Sequence, residues 1–227
     1  RFYVLLPLGE EVVIDDVSLV SQWMKVFRYQ IGDFVILFNG DGNDYSYSLH
    51  EISKKSVTLI RTKSTPSYIP KRKITLYLSV IKKDNFELAV QKATELGVTS
   101  IIPVLSTRSE KKHLSMERLQ KIAIEASEQC LRGDIPHICE IISLEEALKT
   151  LPKEVYSIMF TMDEPLLTTS NDSTSNTAVF IGPEGGFDED EIALMKEHGL
   201  HGYSLGNTVL RAETAAIAAC VAINLLA

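Results

Sequence analysis

Two glycine-bearing segments near the end of the sequence have the residue types and spacing of a ligand-binding site. Residues 181–187 read Ile-Gly-Pro-Glu-Gly-Gly-Phe, and residues 205–215 read Leu-Gly-Asn-Thr-Val-Leu-Arg-Ala-Glu-Thr-Ala. Each passes from an apolar, strand-like stretch through a turn into a helix-like stretch, which places backbone N–H groups and small residues beside a ligand. Two such turns at the carboxyl ends of neighbouring strands wall one crevice, so the pair predicts a cofactor pocket.

Several well-known fingerprints are missing from the sequence. It contains no Gly-x-Gly-x-x-Gly after a strand, no Gly-x-x-x-x-Gly-Lys-Ser/Thr and no Gly-x-Ser-x-Gly. The sequence therefore lacks the main motifs that would indicate a nicotinamide oxidoreductase, a P-loop NTPase or an α/β-hydrolase. The three cysteines form no Cys-x-x-Cys, and His198 and His201 are the only closely spaced histidines. We expect neither a disulfide framework nor a metal site.

The last two thirds of the chain alternate strand-like and helix-like segments. This alternation predicts an α/β domain with a mostly parallel sheet and helices on both faces. A capping box at residues 143–146 and the acidic run 188–191 mark helix starts, while Gly97 and Gly199 mark helix ends. The polar run 168–176 predicts a mobile loop. The predicted strands are 74–81, 100–105, 137–142, 156–162, 178–181 and 202–205, and the predicted helices are 85–96, 116–131, one from 143, 188–199 and 213–227.

The first third is rich in β-branched and aromatic residues and predicts a small β-barrel. Leu19, Trp23 and Phe27 recur at helical spacing and predict one short helix at 18–29. Residues 62–70 contain two prolines and no clear period, so they are interpreted as a linker. The domains are therefore predicted at 1–70 and 71–227. The predicted strands are 1–6, 34–38, 45–52 and 57–61, with a hairpin turn at 39–44.

Charge is distributed unevenly between these two parts. The net charge of −7 disfavours a nucleic-acid partner at first sight, because phosphate binding relies on Lys and Arg. Residues 1–73 nevertheless hold 10 basic and 8 acidic residues, a net of +2, whereas residues 74–227 hold 13 and 22, a net of −9. The stretch 54–73 has seven basic residues and no acidic one. It is either a solvated face or a surface for nucleic acid.

Residues 182–186 and 205–215 together resemble the methyltransferases with a trefoil-knotted α/β (SPOUT-like) fold. Specifically, they resemble the bacterial 16S ribosomal RNA uridine-N3 methyltransferase family. Residues 92–97, 107–109 and 125–129 with Arg132 are similar to further segments of that family, and the amino-terminal barrel resembles its PUA-like RNA-binding domain. The resemblance covers nearly the whole chain. One departure is Cys130 with Leu131, where a small Ser-Gly-like pair is more usual.

The resemblance implies S-adenosylmethionine as methyl donor and N3 of uridine 1498 in 16S ribosomal RNA as acceptor. It also implies a trefoil knot, which no periodicity or spacing in the chain would suggest, because threaded chains are very rare. In such a knot the carboxyl-terminal segment passes through a loop and shapes the cofactor pocket. The cofactor-binding residues implied are Met162, Gly182, Pro183, Glu184, Gly185, Gly186, Leu205, Gly206, Asn207, Val209, Leu210, Thr214 and Ala215.

Arg211 and Glu184 are the expected catalytic residues. The enzyme has to align uridine N3 with an already electrophilic methyl group and favour loss of the N3 proton. Arg211 stays protonated, so it is suited to stabilise negative charge developing on the uracil. Glu184 either accepts the proton, directly or through water, or only hydrogen-bonds nearby backbone. Glu213, near a helix start, is interpreted as structural.

Basic residues on both domains are expected to contact RNA phosphates. Such contacts position a substrate, whereas recognition of a folded ribosomal site comes from shape and from extraction of one base. The candidates are Lys25, Arg28, Lys71, Arg72, Lys73, Arg108, Lys111, Lys112 and Arg132.

The closing helix is apolar on every side, so it is buried either in the core or against a second subunit. We expect a homodimer.

Residues 1–6 are too short for a membrane span and no signal-peptide cleavage region follows them, so no targeting segment is visible and a cytoplasmic location is expected.

Two alternatives remain open at this point. A knotted methyltransferase acting on a ribose 2′-hydroxyl would have to activate an alcohol instead of an imide nitrogen. A non-catalytic RNA-binding factor would retain the pocket for stability alone.

Overall fold

The computed structural model describes residues 1–109, 114–168 and 176–225. The chain divides into two compact units: unit 1 is Arg1–Ile69 with Ser127–Asp134, and unit 2 is Pro70–Ala126 with Ile135–Ala227. Along the described residues, no helix combines the length and the apolar character needed to cross a membrane.

Unit 1 is built on a five-stranded sheet in the order β1-β3-β4-β5-β2, in which only β1 and β3 pair in parallel. Alternate residues point inward, as a half-buried strand requires. Val35 and Leu37 on β3, for example, are buried between exposed Phe34 and Ile36. The strands are β1 Phe2–Tyr3, β2 Glu11–Ile14, β3 Phe34–Phe38, β4 Asn43–Ile52 and β5 Val57–Pro66.

One short helix of unit 1 packs against this core. Helix α1 spans Val17–Gln22 and starts where the Asp16 carboxylate accepts a hydrogen bond from the Leu19 N–H at 2.7 Å. It continues as a π-helical turn, Trp23–Phe27, and the Trp23 side chain is fully buried. The predicted helix at 18–29 is thus present, but its second half is underwound into the wider π-helical turn.

Two details of unit 1 differ from the sequence-based expectation. The predicted linker at 62–70 is partly a strand, because β5 continues to Pro66 in register with β4. The last residue of β5 that pairs with β2 is Ile60, and the Arg61 N–H still donates to the Glu10 carbonyl at 2.7 Å. Pro66, which lacks an N–H, lies beyond this pairing at the end of the strand, where a proline is tolerated. Strand β2 was not predicted, since it has only four residues.

Residues 127–134 belong to unit 1, although the sequence places them in the second domain. The Arg1 guanidinium donates to the carbonyls of Ser127 and Arg132, at 2.9 and 2.8 Å. The N–H of Gly133 donates to the Tyr68 carbonyl at 2.6 Å. Sequence patterning does not register such long-range bonds.

Unit 2 is a parallel sheet in the order β12-β10-β11-β6-β7-β8, with β9 also pairing β7. Its central strand β11 is buried along its whole length, as parallel strands covered on both faces are. The strands are β6 Ile74–Ser79, β7 Ser100–Leu105, β8 His137–Ile138, β9 Ile142–Ser143, β10 Tyr156–Phe160, β11 Thr177–Ile181 and β12 His201–Tyr203. The helices that lie wholly or mostly in unit 2 are α2 Lys83–Glu95, α3 Met116–Cys130, α4 Leu144–Lys149, α5 Glu189–Glu197 and α6 Ala212–Leu225.

Two apolar cores lie on opposite faces of this sheet. Val179 and Ile181 of β11 face one core, which also contains the buried sides of α2, α3 and α6. Ala178 and Phe180, the alternate residues of the same strand, face the second core beneath α4 and α5. The helices therefore cover both faces, as the alternation of elements predicts.

Helix boundaries of unit 2 follow the predicted signals. Ser143 and Asp188 each form a complete capping box with the glutamate three residues later. Gly97 and Gly199 adopt φ of +82°, the left-handed conformation that ends a helix.

Other boundaries of unit 2 differ from the prediction. The strand expected at 137–142 is two short strands, β8 and β9, that pair with different parts of β7. Helix α6 begins one residue earlier than expected, and residues 226–227 of the predicted helix lie outside the described part. The same holds for most of the loop predicted at 168–176, since residues 169–175 are not described.

Candidate active site

Three neighbouring strands, β12, β10 and β11, end at the same edge of the sheet, and the loops that follow them line one cavity of about 310 Å³. That volume lies in the range of small-molecule and cofactor sites. The crevice beyond the carboxyl ends of parallel strands is also the usual ligand position in such sheets. The loop residues that line the cavity are Thr161, Met162 and Asp163 after β10, Gly182 to Phe187 after β11, and Leu205, Thr208, Val209 and Leu210 after β12.

The turn after β11 leaves little room for a side chain at its start. A Cβ at Gly182 would lie 3.1 Å from the Phe187 nitrogen and 3.3 Å from the Gly186 Cα, both of them backbone atoms. The Gly186 N–H donates to the Pro183 carbonyl at 2.8 Å, and Gly186 has φ of +69°. The chain thus folds tightly on itself and leaves its backbone open to a ligand.

Helices begin directly after both turns. Helix α5 starts at Glu189, two residues after Phe187, and α6 starts at Ala212, with the Arg211 carbonyl accepting from the Ala215 N–H at 2.8 Å. Ala212 and Ala215, on the first turn of α6, line the cavity, where small side chains leave room. The positive ends of two helix dipoles therefore lie near the pocket.

Most of the cofactor-binding residues expected from sequence are brought together by this arrangement. Those that line the cavity are Met162, Gly182, Pro183, Glu184, Gly185, Gly186, Leu205, Val209, Leu210 and Ala215. Gly206, Asn207 and Thr214 are not among the lining residues, so their assignment to the cofactor stays a prediction. Gly206 has φ of +130°, so it serves the turn itself, and Thr214 is exposed on α6.

Sequence reasoning missed several lining residues. Their apolar members, at strand ends or helix starts, look like ordinary core residues in sequence, and only the fold shows that they face a cavity. Asp163 carried a weak signal, since it follows a predicted strand. The missed residues are Phe160, Thr161, Asp163, Ile181, Phe187, Ile192, Thr208 and Ala212, and Arg108 lines the cavity as well.

The two expected catalytic residues lie at different places. Glu184 lines the cavity, is exposed, and its Oε1 accepts a hydrogen bond from the Lys82 N–H at 3.4 Å at the start of α2. Arg211 is exposed next to two lining residues, Leu210 and Ala212, but is not itself a lining residue. Glu184 therefore has a structural contact, whereas the Arg211 side chain extends from the surface beside the pocket.

Glu213, interpreted from sequence as structural, is a buried carboxylate in the first turn of α6. Only 6% of the residue is exposed, and its Oε2 has no hydrogen-bond partner among the described residues. An acidic residue in the first turn interacts favourably with the helix dipole.

The basic residues expected to contact RNA divide into exposed and internal groups. Lys25, Arg28, Lys71 and Lys73 are exposed. Arg108 is exposed too, but its guanidinium donates to the Gly185 carbonyl at 2.8 Å. Lys111 and Lys112 lie outside the described residues.

Two arginines are corrected, because their guanidinium groups are occupied inside the protein. Arg132 is 2% exposed and pairs with Asp134 at 2.8 Å. Arg72 donates to the Ile223 carbonyl at 3.0 Å and to the Thr177 hydroxyl at 2.6 Å. Arg72 thus places positive charge at the carboxyl end of α6, where a helix dipole favours it.

Asp188, directly after the glycine turn, carries the clearest electrostatic signature near the site. The Glu191 N–H that it caps, the Thr107 hydroxyl and the Arg108 charge lower the pKa of Asp188. These donors stabilise the ionised form. The start of α5 is therefore held by a carboxylate that stays charged to lower pH than an ordinary aspartate.

Comparison with known proteins gives matches along almost the whole chain. The family model of an RNA methyltransferase domain matches residues 68–224, and that of an RNA methyltransferase PUA domain matches residues 24–60. Ribosomal RNA small subunit methyltransferase E of Rickettsia conorii is 33% identical over 232 residues, covering 100% of this chain and 95% of the relative.

Solved structures agree with these matches. The small subunit methyltransferase E of Neisseria gonorrhoeae, bound to S-adenosyl methionine, superposes with a TM-score of 0.90 at 29% identity, covering 100% of this chain and 97% of the other. A Legionella pneumophila protein with bound cofactor SAM has a TM-score of 0.88 at 28% identity, covering 99% and 96%.

Proposed function

Since the chain belongs to the RNA methyltransferase family, we propose that it methylates N3 of uridine 1498 in 16S ribosomal RNA. It is an S-adenosylmethionine-dependent ribosomal RNA methyltransferase. The proposal adds the base that is methylated, uridine 1498, and the acceptor atom, N3. The same membership confirms the predicted fold, a knotted SPOUT-like α/β sheet with a PUA-like amino-terminal domain.

The observation that carries the proposal is the cavity formed by the loops after three adjacent parallel strands. Its apolar wall includes Phe160, Ile181 and Leu205, which suits an adenine ring. Its carboxylates, Asp163 and Glu184, suit the positive charge of a sulfonium. A Cβ at Gly186 would meet no atom of the described residues within 4 Å, so this glycine allows a ligand to approach the backbone closely. These residues fit S-adenosylmethionine, which when bound supplies an electrophilic methyl group.

The chain's own residues then orient the acceptor base and manage its charge. We assign Arg211 to the uracil oxygens, because it is exposed beside the pocket and its guanidinium remains protonated. We assign Glu184 to the N3 proton, since it is the exposed carboxylate of the glycine turn. Positioning accounts for most of the rate in this scheme.

RNA contact is assigned to the exposed lysines and arginines. Lys25 and Arg28 lie on unit 1, and Lys71 and Lys73 on unit 2. Phosphate contacts from these residues hold the substrate without identifying its sequence. We further propose that residues 1–70 act as the RNA-binding domain and residues 71–227 as the methyltransferase domain, in the cytoplasm where small ribosomal subunits are made.

We also propose a homodimer that forms through α6. One side of this helix is buried, but Ile217, Ala218, Val221 and Ala222 are only half-buried and Leu225 is 77% exposed. These residues recur at intervals of three and four, so they form one apolar stripe. A second copy of the chain would cover it.

Methyl transfer to assembled small ribosomal subunits lacking the mark tests the reaction. With radiolabelled S-adenosylmethionine, digestion and nucleoside analysis, we expect 3-methyluridine as the product. No 3-methyluridine at saturating cofactor overturns the proposal, and a 2′-O-methylated nucleoside in its place assigns the enzyme to ribose methylation. Absence of heat on calorimetric titration with S-adenosylmethionine would instead indicate a non-catalytic RNA-binding factor.

A further inference from the structure

The turn that follows β7, residues 106–109, is unusually well anchored for an exposed connection. The Ser109 N–H donates to the Ser106 carbonyl and the Ser106 N–H to the Ser109 hydroxyl, both at 3.0 Å. The Ser106 hydroxyl also donates to that of Ser79, at the end of β6, at 3.1 Å. Serine hydroxyls thus tie this turn to the neighbouring strand.

A buried carboxylate joins the same turn to α5. Glu191 is 8% exposed, and its Oε1 accepts from the Thr107 N–H at 2.7 Å. Its Oε2 accepts from the Asp188 N–H at 3.0 Å, within the capping box. Both oxygens are therefore used, and one side chain links the 106–109 turn to the residue that follows Phe187.

Arg108 extends from this anchored turn to the glycine turn. Its guanidinium donates to the Gly185 carbonyl at 2.8 Å. A Cβ at Gly185 would lie 3.2 Å from the Arg108 Cδ, so the aliphatic part of the arginine rests on the face of that glycine. Arg108 also lines the cavity. Its placement is determined by the protein at both ends.

We propose that Arg108 is a positioning residue of the methyl-donor pocket, which clamps the turn at residues 182–186 in its binding-competent shape. This inference rests on the proposed function, since it assumes that S-adenosylmethionine occupies the cavity. Glycine-rich backbone is flexible, and an unclamped turn would lose conformational freedom on binding. A hydrogen bond from a charged donor, together with packing of the stem, removes that cost beforehand.

The clamp replaces the sequence-based view of Arg108 as a phosphate contact, and the two roles predict different measurements. A clamp acts on cofactor affinity and leaves RNA affinity and its salt dependence unchanged. A phosphate contact acts on RNA affinity, and its loss makes the logarithm of the binding constant fall less steeply with the logarithm of salt, by about 0.7 to 0.9 per contact.

Calorimetric titration of the full-length protein with S-adenosylmethionine tests the clamp. Arg108→Met keeps an unbranched stem over Gly185 but removes the donors, so we expect about ten-fold weaker binding. Arg108→Lys restores one donor and should recover part of the affinity. Lys153→Ala, which removes an exposed charge elsewhere, is the matched control and should bind like wild type. Thermal unfolding of each variant checks that the fold is retained.

Steady-state kinetics separate the clamp from a role in RNA binding. For Arg108→Met we expect a raised KM for S-adenosylmethionine, a kcat near that of wild type at saturating cofactor, and an unchanged KM for the ribosomal subunit. Cofactor affinity within two-fold of wild type, or a raised KM for the subunit alone, overturns the clamp. If wild type itself releases no heat with S-adenosylmethionine, the proposed function fails and the clamp with it.

Discussion

The two arginines beside the cavity, Arg108 and Arg211, have opposite surroundings. The Arg108 guanidinium donates to the Gly185 carbonyl, whereas the Arg211 side chain has no hydrogen bond or ion pair with the described residues, and the Arg211 backbone carbonyl accepts from the Ala215 N–H of α6. A side chain that the protein does not hold is available to a substrate. This difference is why Arg211 is assigned to the acceptor base and Arg108 to the pocket.

Replacing Arg211 with alanine should lower kcat by about 10²–10³-fold, the usual effect of removing one donor that stabilises developing charge. Cofactor affinity should stay within two-fold of wild type, because Arg211 is not a lining residue. Turnover assays and calorimetry on the same preparation measure both quantities, with Lys153→Ala as control. Unchanged turnover would remove Arg211 from the catalytic assignment.

Replacing Glu184 with glutamine separates its two assigned roles. The amide oxygen still accepts a hydrogen bond from the Lys82 N–H, so the local backbone should be retained. The amide does not accept a proton near neutral pH, so turnover should fall by about 10²-fold or more. Single-turnover kinetics at saturating cofactor provide the measurement. Wild-type rates would show that Glu184 only hydrogen-bonds backbone.

At the scale of elements, the sequence is most informative at helix ends, where neighbouring residues decide the outcome. The capping box at Ser143 and the acidic helix start at Asp188 form as predicted, because each cap joins residues three apart. The prediction of a single strand at 137–142 was wrong, because the partner strand β7 decides where pairing occurs. Local signals locate helix termini, and pairing partners determine strand bounds.

The cap of α5 should make stability depend on pH in the acid range. The pKa of Asp188 is lower in the folded protein than its ordinary value of 3.8, chiefly because of the Glu191 N–H. Its contribution is therefore fully present above that value and is lost as the pH falls through the folded pKa. Asp188→Asn still accepts the capping bond but does not titrate, so the gap in melting temperature between wild type and variant should be constant from pH 5 to pH 8 and should narrow in stronger acid.

The melting temperatures of wild type and Asp188→Asn, measured from pH 8 down into stronger acid, give this difference. Its value at neutral pH is the reference against which the values in acid are compared. A gap that widens in acid would contradict the assigned sign.

At the scale of the whole molecule, α6 connects the pocket to the proposed assembly. Its first turn lines the cavity through Ala212 and Ala215, while its later residues Ile217, Val221 and Leu225 present the half-buried apolar stripe. One helix thus serves both cofactor site and subunit contact in the proposed dimer. Covering the stripe would also stabilise the start of the helix beside the pocket.

Replacing Val221 with glutamate should convert the dimer to a monomer, because an unpaired carboxylate in an apolar interface is costly. Leu88→Glu places the same charge at an exposed apolar position of α2 and should leave the dimer intact. Sedimentation velocity over a range of protein concentrations reports the state of each. A wild-type protein that sediments as a monomer throughout would show that the dimer proposal is wrong.

The sequence by itself determined the family, most of the order of strands and helices, and the two glycine turns that face the cavity. These features depend on residue type and short-range spacing: Gly182 and Gly186 are recognisable because few other residues tolerate such a turn, and Ser143 because its cap is local. Ten of the thirteen expected cofactor residues line the cavity, because they belong to turns that residue type and short-range spacing identify.

Only the tertiary structure decided what the charged residues do. Arg72, Arg108 and Arg132 look alike in sequence, yet one binds the end of α6, one holds the glycine turn and one is buried against Asp134. Phe160 and Ile192 likewise became pocket residues only once neighbouring strands and helices met. The physical reason is that a long side chain takes its role from partners that are distant in the sequence, and the fold alone brings those partners within hydrogen-bonding range.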